Sequence, residues 1–183
     1  MSIQPDTLHA DFCAYLSEIR GAIVVEMGAR RFNPDVPTLH RSWLPADARL
    51  IGTDFADGID VDVLADAHSL SSAFAPASID AVIANSVFEH FQRPWLVAAE
   101  IAKVLKVNGQ IWVYTHFVFP EHGFPNDYWR FTREGLETIF VDAGLHVIGS
   151  NYHNPCRITS ELDPNTANYE CFTGVYLLAR KLV

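Results

Sequence analysis

The stretch VVEMGARRFNP, residues 24–34, carries an apolar strand, led in by Ile23, into a turn hinged on Gly28. A nucleotide-binding loop begins this way, because glycine after a buried strand lets the backbone come close to a ligand at the head of a sheet. Yet the positions that a dinucleotide loop fills with further glycines hold Arg30 and Asn33, and Glu26 stands just before the turn. A diphosphate would be repelled by that carboxylate. The loop asks instead for a ligand that suits a carboxylate and a guanidinium.

Outward from this turn, strand and helix patterns alternate. TLHADFCAYLSEIR (7–20) spaces Leu8, Phe12, Tyr15, Leu16 and Ile19 as one helical face, so 1–20 is expected to form an N-terminal helical segment ending near Gly21. Pro34, Pro37 and Pro45 argue against a long helix over 33–48, although TLHRSWL could keep a broken one. RLIGTDF (49–55) and VDVLADAHSL (61–70) read as a second and a shorter third strand, and the apolar run from Ile79 to Ala84 as a fourth ending at Asn85. RPWLVAAEIAKVLKVNG (93–109) is a helix that Pro94 starts and Asn108-Gly109 should end. QIWVYTHF is a fifth strand. TREGLETIFVDAG is a helix with Thr132 as N-cap and Gly144 at its end, and LHVIGSNY and TGVYLLARK are two last, antiparallel strands.

Such alternation predicts an α/β fold: a doubly wound, mostly parallel seven-stranded sheet, Rossmann-like, with an antiparallel strand near the C-terminus. One domain over 1–183 is expected at this length. Ligands of open parallel sheets bind beyond the carboxyl ends of the strands. The groups expected there are Glu26 to Arg30, Asp54, Asp66-Ala67, Asn85 to His90 and Thr115-His116. Asp54 follows Gly28 by 26 positions, near the offset of about 20 at which a carboxylate holds a ribose diol in nucleotide folds; a turn-forming aspartate is the structural alternative. Asp66 and Ala67 could meet an adenine, or Asp66 could cap the next turn.

Composition narrows the classes. The net charge of −9 and scattered basic residues oppose nucleic-acid binding, which depends on clustered Lys and Arg. No apolar run approaches the 18 or so residues of a membrane span, and MSIQPDTLHADF has no basic-then-apolar leader pattern, so a cytoplasmic location is expected. Cys13, Cys156 and Cys171 are odd in number and widely spaced, which argues against a disulfide framework or zinc knuckle.

Taken in order, VVEMGAR, LIGTDF, LADAHSL, IDAVIANSVFEHF and EIAKVLKVNGQIWVYT resemble the class I S-adenosylmethionine-dependent methyltransferases, in particular the small-molecule type 11 group, over about residues 20–148. The resemblance implies S-adenosylmethionine as cofactor and S-adenosylhomocysteine as product. It implies Glu26 and Gly28 in the cofactor loop, Asp54 with its neighbour Phe55 at the ribose, Asp66 and Ala67 at the adenine, and Asn85 and Ser86 on the floor of the site. Arg30 departs from the pattern, where a second glycine is usual. S-adenosylmethionine has no pyrophosphate, and its amino acid end is a zwitterion: Glu26 could favour the cationic groups and Arg30 the carboxylate. Alternatively, Glu26 and Arg30 pair with each other.

THFVFPEHGFPNDYWRF (115–131) concentrates histidines, acids, an arginine and aromatics where this fold places the acceptor, so 117–131 is read as a substrate-side loop. It is similar to a loop in some methyltransferases of bacterial glycan and natural-product clusters, which implies a small polar or glycan-like acceptor, attacked at oxygen or nitrogen. His122 is the first candidate base, followed by His116 and His90; each has a structural alternative, as a cap or a packed histidine. His116, His122 and Asp127 are metal-ligand types, but no metal is expected. The acceptor is expected in an open cleft, or under a lid from this loop, the N-terminal helix or a homodimer partner. The alternative function is a catalytically silent binding or regulatory module that retains the fold.

Overall fold

The computed structural model describes residues 7–37, 39–123, 125–159 and 169–183. The first six residues of the expected N-terminal segment lie outside them. In chain order the elements are α1 (Leu8–Ser17), β1 (Ile23–Met27), β2 (Arg49–Asp54), β3 (Val63–Leu64), β4 (Ile79–Asn85), α2 (Pro94–Val104), β5 (Leu105–His116), α3 (Arg133–Asp142), β6 (Leu145–Ile158) and β7 (Tyr169–Lys181). The strands form one seven-stranded sheet in the order β3-β2-β1-β4-β5-β7-β6. All neighbours are parallel except β7, which runs antiparallel to both β5 and β6. The strand order reverses at β1 and β4, which places the ligand crevice beyond Met27 and Asn85.

The central strands are apolar on both faces because both are covered. Val24, Ala81, Ile83, Trp112 and Leu178 pack under Phe12 and Leu16 of α1. Their neighbours Val25, Val82, Ala84, Ile111 and Leu177 face the other way, against Val97 and Ile101 of α2 and Leu136 and Phe140 of α3. At the far edge, Asp80 ties the strand starts together: its carboxylate accepts from the Ile23 amide and from Lys106 Nζ, and its carbonyl accepts from the Tyr15 hydroxyl.

Three elements differ from expectation. Helix α2 stops at Val104 instead of Asn108-Gly109, because Leu105 turns extended and pairs with Ile79 at the start of β4. Asn108, at φ 67°, then makes the irregular turn before pairing resumes at Gln110. The third strand shrinks to Val63–Leu64 and gives way to a 3-10 segment, Ala67–Ser72. Among its described residues the proline-rich stretch keeps a single 3-10 turn, Arg41–Trp43. Helix α3 forms as read, with Thr132 Oγ1 accepting the Gly135 amide and Gly144 at φ +80° closing it. None of the helices among the described residues is long and apolar enough to cross a membrane.

Candidate functional site

Two adjoining cavities open beyond the carboxyl ends of β1, β2 and β4, one of about 430 Å³ and one of about 410 Å³, on either side of the Gly28 turn. Gly28 sits at φ +70°, and a Cβ there would lie 2.9 Å from Val87 Cγ2, so both the conformation and the space demand glycine. Gly28, Arg30 and Ser86 line both cavities.

The larger cavity collects Asp54, Phe55, Asp66, Ala67, His90 and His122. Asp54, at the end of β2, accepts the Arg30 amide at 3.3 Å and the Ala56 amide at 3.0 Å, so its carboxylate is fixed by the loops on both sides. Asp66 caps the 3-10 segment after β3 by accepting the His68 amide and the His68 imidazole, each at 2.9 Å. Chiefly the amide bond, against burial and with the imidazole's help, holds the Asp66 carboxyl below its ordinary value. Both aspartates thus do the turn work that was the alternative reading, and both still line the cavity. Phe55, 60% exposed, presents a bare ring at the rim.

The smaller cavity holds Glu26, Asn85, His40 and Tyr114. Glu26 does not pair with Arg30. Its Oε1 and Oε2 take the His40 ring and amide, at 2.5 and 2.8 Å. Trp112 Nε1 donates to Asn85 Oδ1 at 3.1 Å, and Asn85 Nδ2 lies 2.9 Å from His40 Nε2. Indole only donates, so it fixes the Asn85 amide, which in turn makes His40 Nε2 the acceptor and Nδ1 the donor to Glu26. Arg30 lies with its guanidinium 4.6 Å over the Phe32 ring and its Nε buried without a partner among the described residues.

Beneath the 117–131 loop, the three candidate bases converge on a residue not singled out from sequence, Glu89. It is fully buried, and its Oε2 accepts the Thr115 hydroxyl at 2.7 Å. Its backbone carbonyl accepts the Tyr128 and Trp129 amides, which draws the 117–131 loop over the sheet end. Burial alone would raise the Glu89 carboxyl, but His116 and Thr115 hold it below the ordinary value. His116 is buried beneath the cleft, stacked on Phe119 at 4.1 Å, while His90 and His122 line the cleft itself. Asp127 and Arg130 form an ion pair: Arg130 Nη1 and Nη2 each donate at 2.6 Å, which holds the Asp127 carboxyl well below the usual carboxylate range. Glu89 stands in the VFEHF segment beside a chosen histidine; an acid there reads as a surface group until the fold buries it. His40, in the proline-rich stretch, had no periodic signal to mark it.

Residues 42–113 match a family model described as a methyltransferase domain. The chain is similar in fold to a Burkholderia thailandensis 1,6-didemethyltoxoflavin-N1-methyltransferase, solved with its namesake compound and S-adenosylhomocysteine. The two are 17% identical over 96% of this chain and 77% of that one, with a TM-score of 0.65. It is likewise similar to an S-adenosylmethionine-dependent methyltransferase of Archaeoglobus fulgidus, at 16% identity, 94% and 92% coverage and a TM-score of 0.61. No curated protein matches the sequence. The pattern of a methyltransferase domain thus lies in the centre of the chain, and the fold of S-adenosylmethionine-dependent methyltransferases is shared along nearly its whole length.

Proposed function

We propose that the paired cavities bind S-adenosylmethionine across the Gly28 turn and that its methyl group passes to a small polar acceptor, glycan-like in its hydroxyls, at oxygen or nitrogen. The adenosine would lie in the larger cavity, with Asp54 on the ribose diol, Asp66 and Ala67 at the adenine edge and Phe55 along the ring. The amino acid end would reach the smaller cavity, where Glu26 retains acceptor capacity for the ammonium and Arg30 Nε offers an unused donor for the carboxylate. The cleft stays open with Arg30 in place, which favours this reading over the silent module. The S-adenosylhomocysteine bound to the Burkholderia relative supports the cofactor.

The observation that carries the proposal is that two imidazoles, His90 and His122, share one cavity wall system with the nucleotide-type carboxylates. Methyl transfer is a displacement at the sulfonium methyl, so the protein's work is alignment plus removal of the acceptor's proton. His122 is the first base and His90 the second; buried His116 supports them from below. The test incubates the protein with methyl-labelled S-adenosylmethionine and a panel of hydroxyl- and amino-bearing sugars, and follows release of S-adenosylhomocysteine. Acceptor-dependent release that falls roughly 100-fold or more in the His90→Gln, His122→Gln double variant is expected. Release that is equal in wild type and double variant would overturn the base assignment, and cofactor binding without release on any acceptor would favour the silent module.

A further inference from the structure

Glu89 Oε1 is buried and accepts no well-aimed hydrogen bond among the described residues. Three imidazoles nevertheless turn Nε2 toward it: His116 at 3.1 Å, His90 at 3.7 Å and His122 at 3.8 Å. Two of these rings are set from outside. His122 Nδ1 lies 3.1 Å from Asp127 Oδ2 and 3.2 Å from the Pro120 carbonyl, and His90 Nδ1 lies 2.6 Å from the Asn126 carbonyl. Carboxylate and carbonyl oxygens only accept, so both Nδ1 atoms carry a hydrogen, and the neutral rings point Nε2 lone pairs at an oxygen that also has only lone pairs. A buried arrangement of this kind is costly unless a cation lies between the groups.

We propose that Glu89, His116 and His122 bind a single divalent transition-metal ion at the acceptor end of the cleft. Their ligand atoms all lie within 4.8 Å of one another, close enough that sub-ångström movements of the side chains would bring them onto one ion at bonds of about 2.0–2.2 Å. One carboxylate oxygen and two imidazole nitrogens suit zinc or a neighbouring first-row ion. Asp127 on the far nitrogen of His122 is the outer partner that orients such a ligand, and Arg130 clamps Asp127 in turn. Three protein ligands leave a coordination position open, and His122 faces the cleft.

Resting on the methyl-transfer reading, the ion has a role there. It holds the acceptor oxygen and lowers the pKa of its hydroxyl; with the ion bound, His122 serves as a ligand instead of the first base, and His90, outside the ligand set, takes the proton. The oxygen lone pair forms the new bond to carbon while the S–CH₃ electrons stay on sulfur as S-adenosylhomocysteine. Protonated imidazoles with no metal are the competing way to satisfy Glu89.

The test strips the full chain with a chelator, dialyses it against ZnCl₂ alone or CoCl₂ alone, and measures metal per chain and visible cobalt absorption. One equivalent is expected, with cobalt bands of nitrogen and oxygen ligation, weakened about tenfold or more in His122→Gln and in Glu89→Gln and retained in the Cys156→Ser, Cys171→Ser double variant. Because Glu89 is buried and its variant could unfold, His122→Gln carries the comparison if it does. Substoichiometric metal in wild type, or equal binding in His122→Gln, would overturn the proposal. S-adenosylhomocysteine binding by the same samples separates the two readings: metal without cofactor sinks only the methyl-transfer role, and cofactor without metal sinks only the metal site.

Discussion

Asp127 grips His122 at two points: its Oδ2 accepts the His122 backbone amide at 2.8 Å and lies 3.1 Å from the ring's Nδ1. Arg130 anchors the same carboxylate and also donates to the Phe119 and Pro120 carbonyls, so the loop that carries the candidate base is tied to itself. Asp127→Asn keeps the side chain's shape but removes the charge that both partners use. Methyl transfer should fall by about 10- to 100-fold while S-adenosylhomocysteine affinity stays within about twofold, as expected for a residue that orients another. A fall in cofactor affinity that matches the loss of rate would show instead that the loop shapes the cofactor site.

His40 is predicted to be a neutral imidazole with the hydrogen on Nδ1, because the indole of Trp112 sets Asn85 and Asn85 sets His40. Nitrogen-15 chemical shifts of the labelled ring read this directly. In Trp112→Phe the amide loses its fixed orientation; about 1 kcal/mol of stability should go with the bond, beyond what the smaller ring costs. An Nε2-protonated His40 in wild type would break the relay.

Stability should decline at both ends of the pH scale for separate reasons. The carboxyl of Glu89 lies below its ordinary value when folded, so the unfolded chain binds the proton more readily. Its contribution is present above about pH 4.5 and is lost as pH falls through the lower folded value. Tyr15 is the opposite case: burial first, and the Asp80 charge second, push its hydroxyl up to about 12. Its contribution is complete below pH 10 and disappears as pH rises from there toward 12. Melting temperature against pH should show both limbs, with the acid limb shallower in Glu89→Gln and the alkaline limb shallower in Tyr15→Phe. Unchanged limbs in the variants would assign the titrations to other groups.

The legible part of this protein was whatever depends on local pattern. Val24 and Val25 read as buried on both sides, Asn85 marked the end of β4, and Thr132 announced α3, because period, cap and hinge are written in adjacent residues. The end of α2 was not legible: Leu105 leaves the helix for a partner, Ile79, that lies 26 positions earlier. The residues read from sequence as cofactor-binding all line one or both cavities, since strand ends follow from the strands. The histidine cluster was only half visible. His90, His116 and His122 stood out as histidines, whereas Glu89, which draws them together, looked like any other acid until the fold buried it. Asp54 shows the converse, since one carboxylate both accepts the turn amides and lines the cavity, so the two readings that sequence set as alternatives are compatible.

The most direct test is calorimetric titration with S-adenosylmethionine, S-adenosylhomocysteine and NAD, repeated on Asp54→Ala. Saturable binding of both adenosyl ligands is predicted, with NAD silent and affinity lowered by roughly 10- to 100-fold in the variant, the loss of about 1.5–3 kcal/mol expected for hydrogen bonds to a charged group. No binding of either adenosyl ligand at millimolar concentration, or binding that Asp54→Ala leaves unchanged, would contradict the account.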